Sequence, residues 1–284
     1  MKRLIHIVIV LLAAVCPAVA QTDTAATVVR PVLAAYTLEV GSSHLCDTYL
    51  TPLHYSGWQT ALGYERMQAM RFDPERWIMR LGGRVQAGRA LNPARNAAMW
   101  HFDFSLGWDM TFRHRIGNGF TLAGGGTVGA RVGALSLMRN SNNPVSARAA
   151  VTIGITGMAV WNGNLGRLPL TLAYRPTLPL TGVFFAPDYN ELYYEIWLGN
   201  RSRLVHGAWP GNYFVLDNLL TADLHFGATT LRLGYRLNVA STKANNLVTR
   251  DISHSLVIGI TGEWISLRAR SARTPDAKVI SAMY

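Results

Sequence analysis

Residues 100–113, WHFDFSLGWDMTFR, alternate without a break. Trp100, Phe102, Phe104, Leu106, Trp108, Met110 and Phe112 hold the even positions, and His101, Asp103, Ser105, Gly107, Asp109, Thr111 and Arg113 the odd ones. A period of two describes a β-strand with one apolar and one polar face. Wound at 3.6 residues per turn, the same residues would scatter aromatics and aspartates around a helix. Half-buried strands of soluble sheets usually run to about 5 or 6 residues, whereas a tilted strand needs roughly 9 to 11 to cross a bilayer. The stretch therefore points to an all-β fold, an antiparallel transmembrane β-barrel.

Composition supports this reading. The chain is 49% hydrophobic and 15% charged over 284 residues, and its apolar residues are spread through alternating segments rather than pooled in helix-length runs. Residues 1–20 carry Lys2 and Arg3, an apolar core, and Ala18-Val19-Ala20 before Gln21. That is the pattern of a cleaved secretory signal, with 21–284 expected to form a single outer-membrane barrel domain. A lipidation role for Cys16 is disfavoured by the bulky Val15 before it; Cys46 then stands alone in the mature chain, so no internal disulfide is expected. The formal charge of +11 becomes +9 once Lys2 and Arg3 are removed. Its arginines sit singly on alternating segments, so no nucleic-acid partner is expected. No Cys or His pair has metal spacing and no glycine-rich phosphate loop separates a strand from a helix, so neither cofactor nor metal is expected.

Alternation and turn residues place strands at 36–43, 57–71, 77–88, 100–113, 120–137, 147–161, 168–177, 213–226, 229–240 and 252–266. About ten strands is an even number, as single-chain outer-membrane barrels require, with short turns at one end and longer connections at the other. The short turns are FDPER at 72–76, IGNG at 116–119, NGNLGR at 162–167 and Gly227-Ala228. The longer connections include 44–56 and 238–251, and a basic tail follows the last strand. Residues 179–212 read as a long outer loop folded over or into the lumen; pairing of 192–198 with a second short strand would raise the count to twelve.

Register carries the reading into the lumen. Closure of a hairpin at Gly227-Ala228 sets Asp223 opposite Arg232. With Phe72 opposite Trp77, Glu65 falls against Arg84, and the turn at 116–119 sets Asp103 opposite Arg131 or one rung away. With Arg80 and Arg148, these residues form an expected lumen charge network. It serves either to neutralise charge inside a narrow barrel or to line a selective polar pathway. The long loop supplies a candidate plug or docking surface in Tyr189, Glu191, Tyr193, Tyr194, Glu195 and Trp197. If YNELYYEIW forms a helical turn, Glu191 and Glu195 share a face and would meet inward arginines such as Arg80 or Arg148.

An outer-membrane enzyme would need a nucleophile with a base in reach. The candidates are His101, His225 and the pair His254 and Ser255, but strand phase points His254 outward and Ser255 inward, so no catalytic residue is assigned.

The segments TYLTPLHYSG, GVFFAPDYNELYYEIWLGN and LRLGYRLNVAS together resemble an uncharacterised outer-membrane β-barrel family of Bacteroidetes bacteria, a domain of unknown function. The resemblance spans nearly the whole mature chain and implies fold and location without an activity. Because a ten-stranded barrel is only slightly wider than the eight-stranded type that side chains fill, the expected role is a binding or accessory membrane protein with a plugged, ion-paired lumen. A narrow channel or transporter, and a lipid-modifying enzyme, are the alternatives. Outer-membrane lipid, and another outer-membrane protein or lipoprotein, are the expected partners.

Overall fold

The computed structural model describes residues 28–141, 143–189, 191–199, 202–227, 229–264 and 278–283. The expected signal peptide, residues 1–20, lies outside them. Ten antiparallel strands close into a barrel: β2 (Val32–Asp47), β3 (Thr51–Ala69), β4 (Trp77–Leu91), β5 (Ala98–Gly117), β6 (Phe120–Ser136), β7 (Val145–Leu165), β8 (Leu168–Phe185), β10 (Tyr213–Phe226), β11 (Thr229–Ala244) and β12 (Leu247–Trp264), with β12 pairing back onto β2. The short β9 (Val205–Ala208) extends the sheet beside the end of β8. A parallel pair, β1 (Val28–Val29) with β13 (Lys278–Val279), sits outside the barrel sheet. The end at which β1 and β13 lie is called inner below, and the opposite end outer.

The even residues of β5 face lipid and its odd residues face the lumen. Phe102 is 53% exposed, while Asp103 is 4% and Asp109 2%. The same phase leaves Val151, Ile153 and Ile155 of β7 and Leu256, Ile258 and Ile260 of β12 exposed on the outer surface. Rings gather at the inner edge of this apolar band, where Trp77 packs edge-on against Phe112 and Phe120 lies against Trp161. Trp58 and Trp100 stand near the outer edge, as aromatic girdles do at membrane interfaces.

Several connections differ from the sequence expectation. Residues 44–56 form no long loop: β2 runs to Asp47 and β3 begins at Thr51, leaving a three-residue turn. Residues 238–251 likewise belong to β11 and β12, joined at Asn245 and Asn246, whose φ angles of 50° and 60° suit asparagine in a tight hairpin. Polar residues in these stretches lie along strands that rise past the apolar band, so polarity there marked the membrane boundary rather than a loop. Long outer connections are therefore not universal. Residues 179–185 belong to the wall, in β8, and residues 192–198 hold a short helix, α1 (Tyr193–Trp197), rather than strands that would make twelve.

Apolar side chains gather at both ends of the lumen. At the outer end Leu45, Leu50, Tyr55, Ala90, Met99, Leu135 and Leu137 pack together across β2 to β6, and Phe184, Ala208 and Tyr213 form a second cluster. At the inner end residues 280–283 enter the barrel. Ile280, Ser281, Ala282 and Met283 are buried, and Ala282 and Met283 pack with Leu33, Met67, Ile78, Met158 and Val160. The described end of the expected basic tail is thus a stopper, a role hidden because its four buried residues carry no alternation.

Candidate functional site

The site is the lumen between these two caps. Alternation sends one side chain in two inward, and here the inward phase carries nearly all the charge. Asp223 faces Arg232 across the β10–β11 hairpin, and the guanidinium spans both carboxylate oxygens through two hydrogen bonds of 2.7 Å. Arg131 lies opposite Ser105, one rung from Asp103, and its Nε donates to Asp103 Oδ1 at 2.6 Å. Arg131 and Arg148 also approach Asp251, at 3.3 and 3.4 Å.

The expected pairing of Glu65 with Arg84 is corrected by the register. Pairing of β3 with β4 ends at Ala69 and Ile78, and Glu65 faces Gly82. The turn closes early because Met70 donates to the Trp77 carbonyl and Trp77 to that of Asp73, which moves every partner by two residues. Glu65 therefore gathers Arg175 at 2.6 Å, with Arg80 and Arg232 at 3.4 Å each. Arg84 turns to Glu39, with Nη2 at 2.7 Å, and Arg236 joins the same glutamate at 2.8 Å while also holding Asp217. Arg80 is paired with Asp109.

Glu39, Asp109, Arg175, Asp217, Arg236 and Asp251 complete a network that hairpin arithmetic left unfinished. Asp217 and Arg236 stand on adjacent strands one rung apart, so diagonal neighbours in the Gly227 hairpin would have exposed them. Asp109 lies directly opposite Arg80 on the consecutive strands β4 and β5, whereas Glu39, Arg175 and Asp251 meet their partners across strands that do not adjoin in sequence. The ion-paired set is neutral: Arg80, Arg84, Arg131, Arg148, Arg175, Arg232 and Arg236 against Glu39, Glu65, Asp103, Asp109, Asp217, Asp223 and Asp251.

A cavity of about 200 Å³ lies within this network. Its room comes partly from a row of inward glycines, Gly82 opposite Gly107 and Gly107 opposite Gly129. A Cβ on Gly82 would stand 2.6 Å from Arg80 Nη1, so the glycine lets that guanidinium lie flat against the wall.

Gln59 donates to Ser255 Oγ and Gln86 to Gln59 Oε1, and Gln86 also meets His101. His254 is on the outer surface with the Tyr235 hydroxyl, so it and Ser255 occupy opposite faces of β12. His225 lies between Thr171 and Thr230.

The long loop is fastened to the rim, but not by its glutamates meeting lumen arginines. Glu191 accepts from the Asp188 amide through its side chain, and its carbonyl accepts from the Tyr49 hydroxyl at 2.6 Å. Glu195 caps α1 by accepting from the Leu192 amide. Arg80 and Arg148 are occupied lower down, and the short reach of a capping glutamate keeps both acids at the rim. Tyr193 accepts from the Ala147 amide at 2.7 Å and presses edge-on against Tyr49. Burial pushes the Tyr49 phenol well above its ordinary range, with Tyr193 and Glu191 adding to the effect. Phe184 packs inside the mouth, whereas Tyr189, Tyr194, Trp197 and Trp209 stay exposed, Trp197 at 82%.

Among the described residues no group of His, Cys, Asp and Glu side chains is arranged to hold a metal ion.

The chain belongs to the family described as Protein of unknown function (DUF3316), which matches residues 5–271. No curated protein sequence matches it. Among solved structures it is similar to the outer membrane protease OmpT from Escherichia coli, with 6% identity, a TM-score of 0.47, and coverage of 86% of this chain and 100% of that one. The translocator domain of the autotransporter NalP from Neisseria meningitidis gives 11% identity and a TM-score of 0.36 over 85% and 90% of the two chains. The COG4313 outer membrane channel from Pseudomonas putida F1 gives 11% and 0.34 over 87% and 100%.

Proposed function

We propose that this member of a family of unknown function is an outer-membrane binding or accessory protein, with no catalytic role, whose lumen is held shut and whose contacts are made from the outer rim. The observation that carries the reading is the gathering of the chain's own apolar side chains at both ends of the lumen, with a neutral ion-pair network between them. A channel needs a continuous wetted path, and a solute entering here would have to displace Met283 at one end and the Leu45 cluster at the other. By contrast, Tyr194 and Trp197 project from a loop whose base is tied down at Tyr49 and Ala147. Rings held ready in this way bind a sugar or protein surface at small entropic cost.

Full-length protein in planar bilayers is expected to be electrically silent. A photocrosslinking residue replacing Trp197 is expected to form an adduct in intact cells that the same residue at Phe104 does not. Steady ohmic steps from the full-length chain would overturn the closed lumen, and equal adducts at both positions would overturn the docking role.

A narrow pathway is the second reading, favoured by the 200 Å³ cavity among the charges. It requires the inner stopper to leave, and conductance that appears only after the stopper is loosened would favour it.

A further inference from the structure

Charge on the outer surface of the barrel is one-sided. The carboxylates on the barrel strands, Glu39, Asp47, Glu65, Asp103, Asp109, Asp217, Asp223, Asp251 and Glu263, all fall on the inward phase, so among the described residues no barrel strand turns an acid toward lipid. Cations do appear on the outward phase, and most of them collect at one place. Arg89, Arg250 and Lys243, with the imidazoles of His44 and His54 among them, are all exposed and within about four residues of the outer turns, on the neighbouring strands β11, β12, β2, β3 and β4. Arg89 stands opposite Trp58 on one side and Trp100 on the other, with its guanidinium 5.6 Å from the Trp100 ring centroid. Arg250 faces Ser241 and Cys46 across its two ladders, and Lys243 lies one rung diagonally from it.

Two tryptophans place this face at the level where rings settle between acyl chains and headgroups. An arginine or lysine there reaches the headgroup layer with its stem against apolar surface. With no carboxylate on the same face, the anion it meets must come from the lipid. Arginine's planar fork suits phosphate, and stacking on tryptophan limits the positions it takes.

We propose that this outer-end face of β11, β12, β2, β3 and β4 is a binding site for the phosphate groups of an anionic lipid in the outer leaflet, with Arg89 and Arg250 as the principal contacts. The site would hold a phosphorylated glycolipid against the wall below the long loop. It is independent of whether the lumen conducts or the loop docks a partner.

The test uses the full-length protein in phosphatidylcholine nanodiscs containing equal amounts of bis-phosphorylated lipid A and the same lipid stripped of its phosphates, with the retained lipid counted by native mass spectrometry. Wild type is expected to prefer the phosphorylated form by about tenfold, and the preference should fall at high salt. The double change Arg89→Gln with Arg250→Gln should bring retention close to parity. Arg66→Gln, which removes an outward cation from the inner half of β3, should leave the preference intact. Equal retention of the two lipids by wild type would overturn the proposal, as would a preference unchanged by the double substitution or by salt. The wild-type lipid comparison and its salt dependence decide the matter even if the double variant does not fold.

Discussion

Arg113, on the inward face of β5, donates through Nη1 to the carbonyl of Ser281 at 2.7 Å and to that of Ala282 at 3.2 Å, tying the C-terminal segment inside the inner mouth. Its Nε and Nη2 hold the carbonyls of Glu75 and Pro74 in the adjoining turn. One buried guanidinium thus joins a barrel strand, a turn and the stopper. Hydrogen bonds from charged donors contribute about 1.5 to 3 kcal/mol each. Arg113→Gln should free the tail for carboxypeptidase while the folded barrel keeps its faster migration on unboiled gels. A tail as resistant as that of wild type would show that apolar packing of Met283 alone holds the stopper.

Asp223 and Arg232 should behave as a coupled pair. Both are nearly inaccessible to solvent, so Asp223→Asn takes from a buried arginine its bidentate carboxylate partner, with Glu65 standing off at 3.4 Å. The expected loss is about 3 kcal/mol in urea unfolding, and Asp223→Asn combined with Arg232→Gln should recover part of it, because Glu65 retains Arg175. Losses that simply add would refute the coupling.

These residues also mark how far the sequence could be read. The phase of β5 and the register of the Gly227 hairpin follow from period two and turn length, both local properties, and so Asp223 with Arg232 was legible. Glu65 was placed wrongly because its partner depends on where one turn stops pairing, and a slip of two residues keeps every side chain on its expected face. The pairs Glu39 with Arg236 and Glu65 with Arg175 were invisible because they cross the lumen between strands far apart in the chain. The stopper could not be read at all: IleSerAlaMet has no period, and its burial comes from a space that exists only once the barrel has closed.

The lipid-facing phase makes a sharp prediction at the middle of β5. Leu106 is exposed on the apolar band about midway between Trp100 and Phe112, so Leu106→Arg should destabilise the barrel by roughly 2 to 4 kcal/mol. Its neighbour Ser105 faces the cavity between Arg84 and Arg131. A new arginine there would meet like charge, so the matched control is Ser105→Gln, expected to cost under about 1 kcal/mol where a polar side chain finds polar partners. Equal losses at the two positions in vesicle refolding titrations would mean that the phase is wrong.

The last prediction concerns the fastening of the long loop. Tyr49 donates to the Glu191 carbonyl and supports the ring of Tyr193, and burial raises its phenol pKa above the ordinary value. A group whose acid form is favoured by folding contributes its stabilisation fully below the unfolded pKa, near 10 for tyrosine. That contribution is lost as pH climbs from there through the raised folded value. The loop should therefore stay fastened through neutral and mildly alkaline pH and detach only above about pH 10, as Tyr49 ionises and can no longer donate. Hydrogen exchange at the amides of residues 191–199 reports this directly, with protection expected at pH 8 and lost in strong alkali. Tyr49→Phe removes the hydroxyl and keeps the ring, and should lower protection at pH 8 by about 1 kcal/mol while abolishing the alkaline transition. If the variant kept both the protection and the transition, the loop would be held by α1 and the Tyr193 contact to Ala147, and the Tyr49 hydrogen bond would be incidental to it.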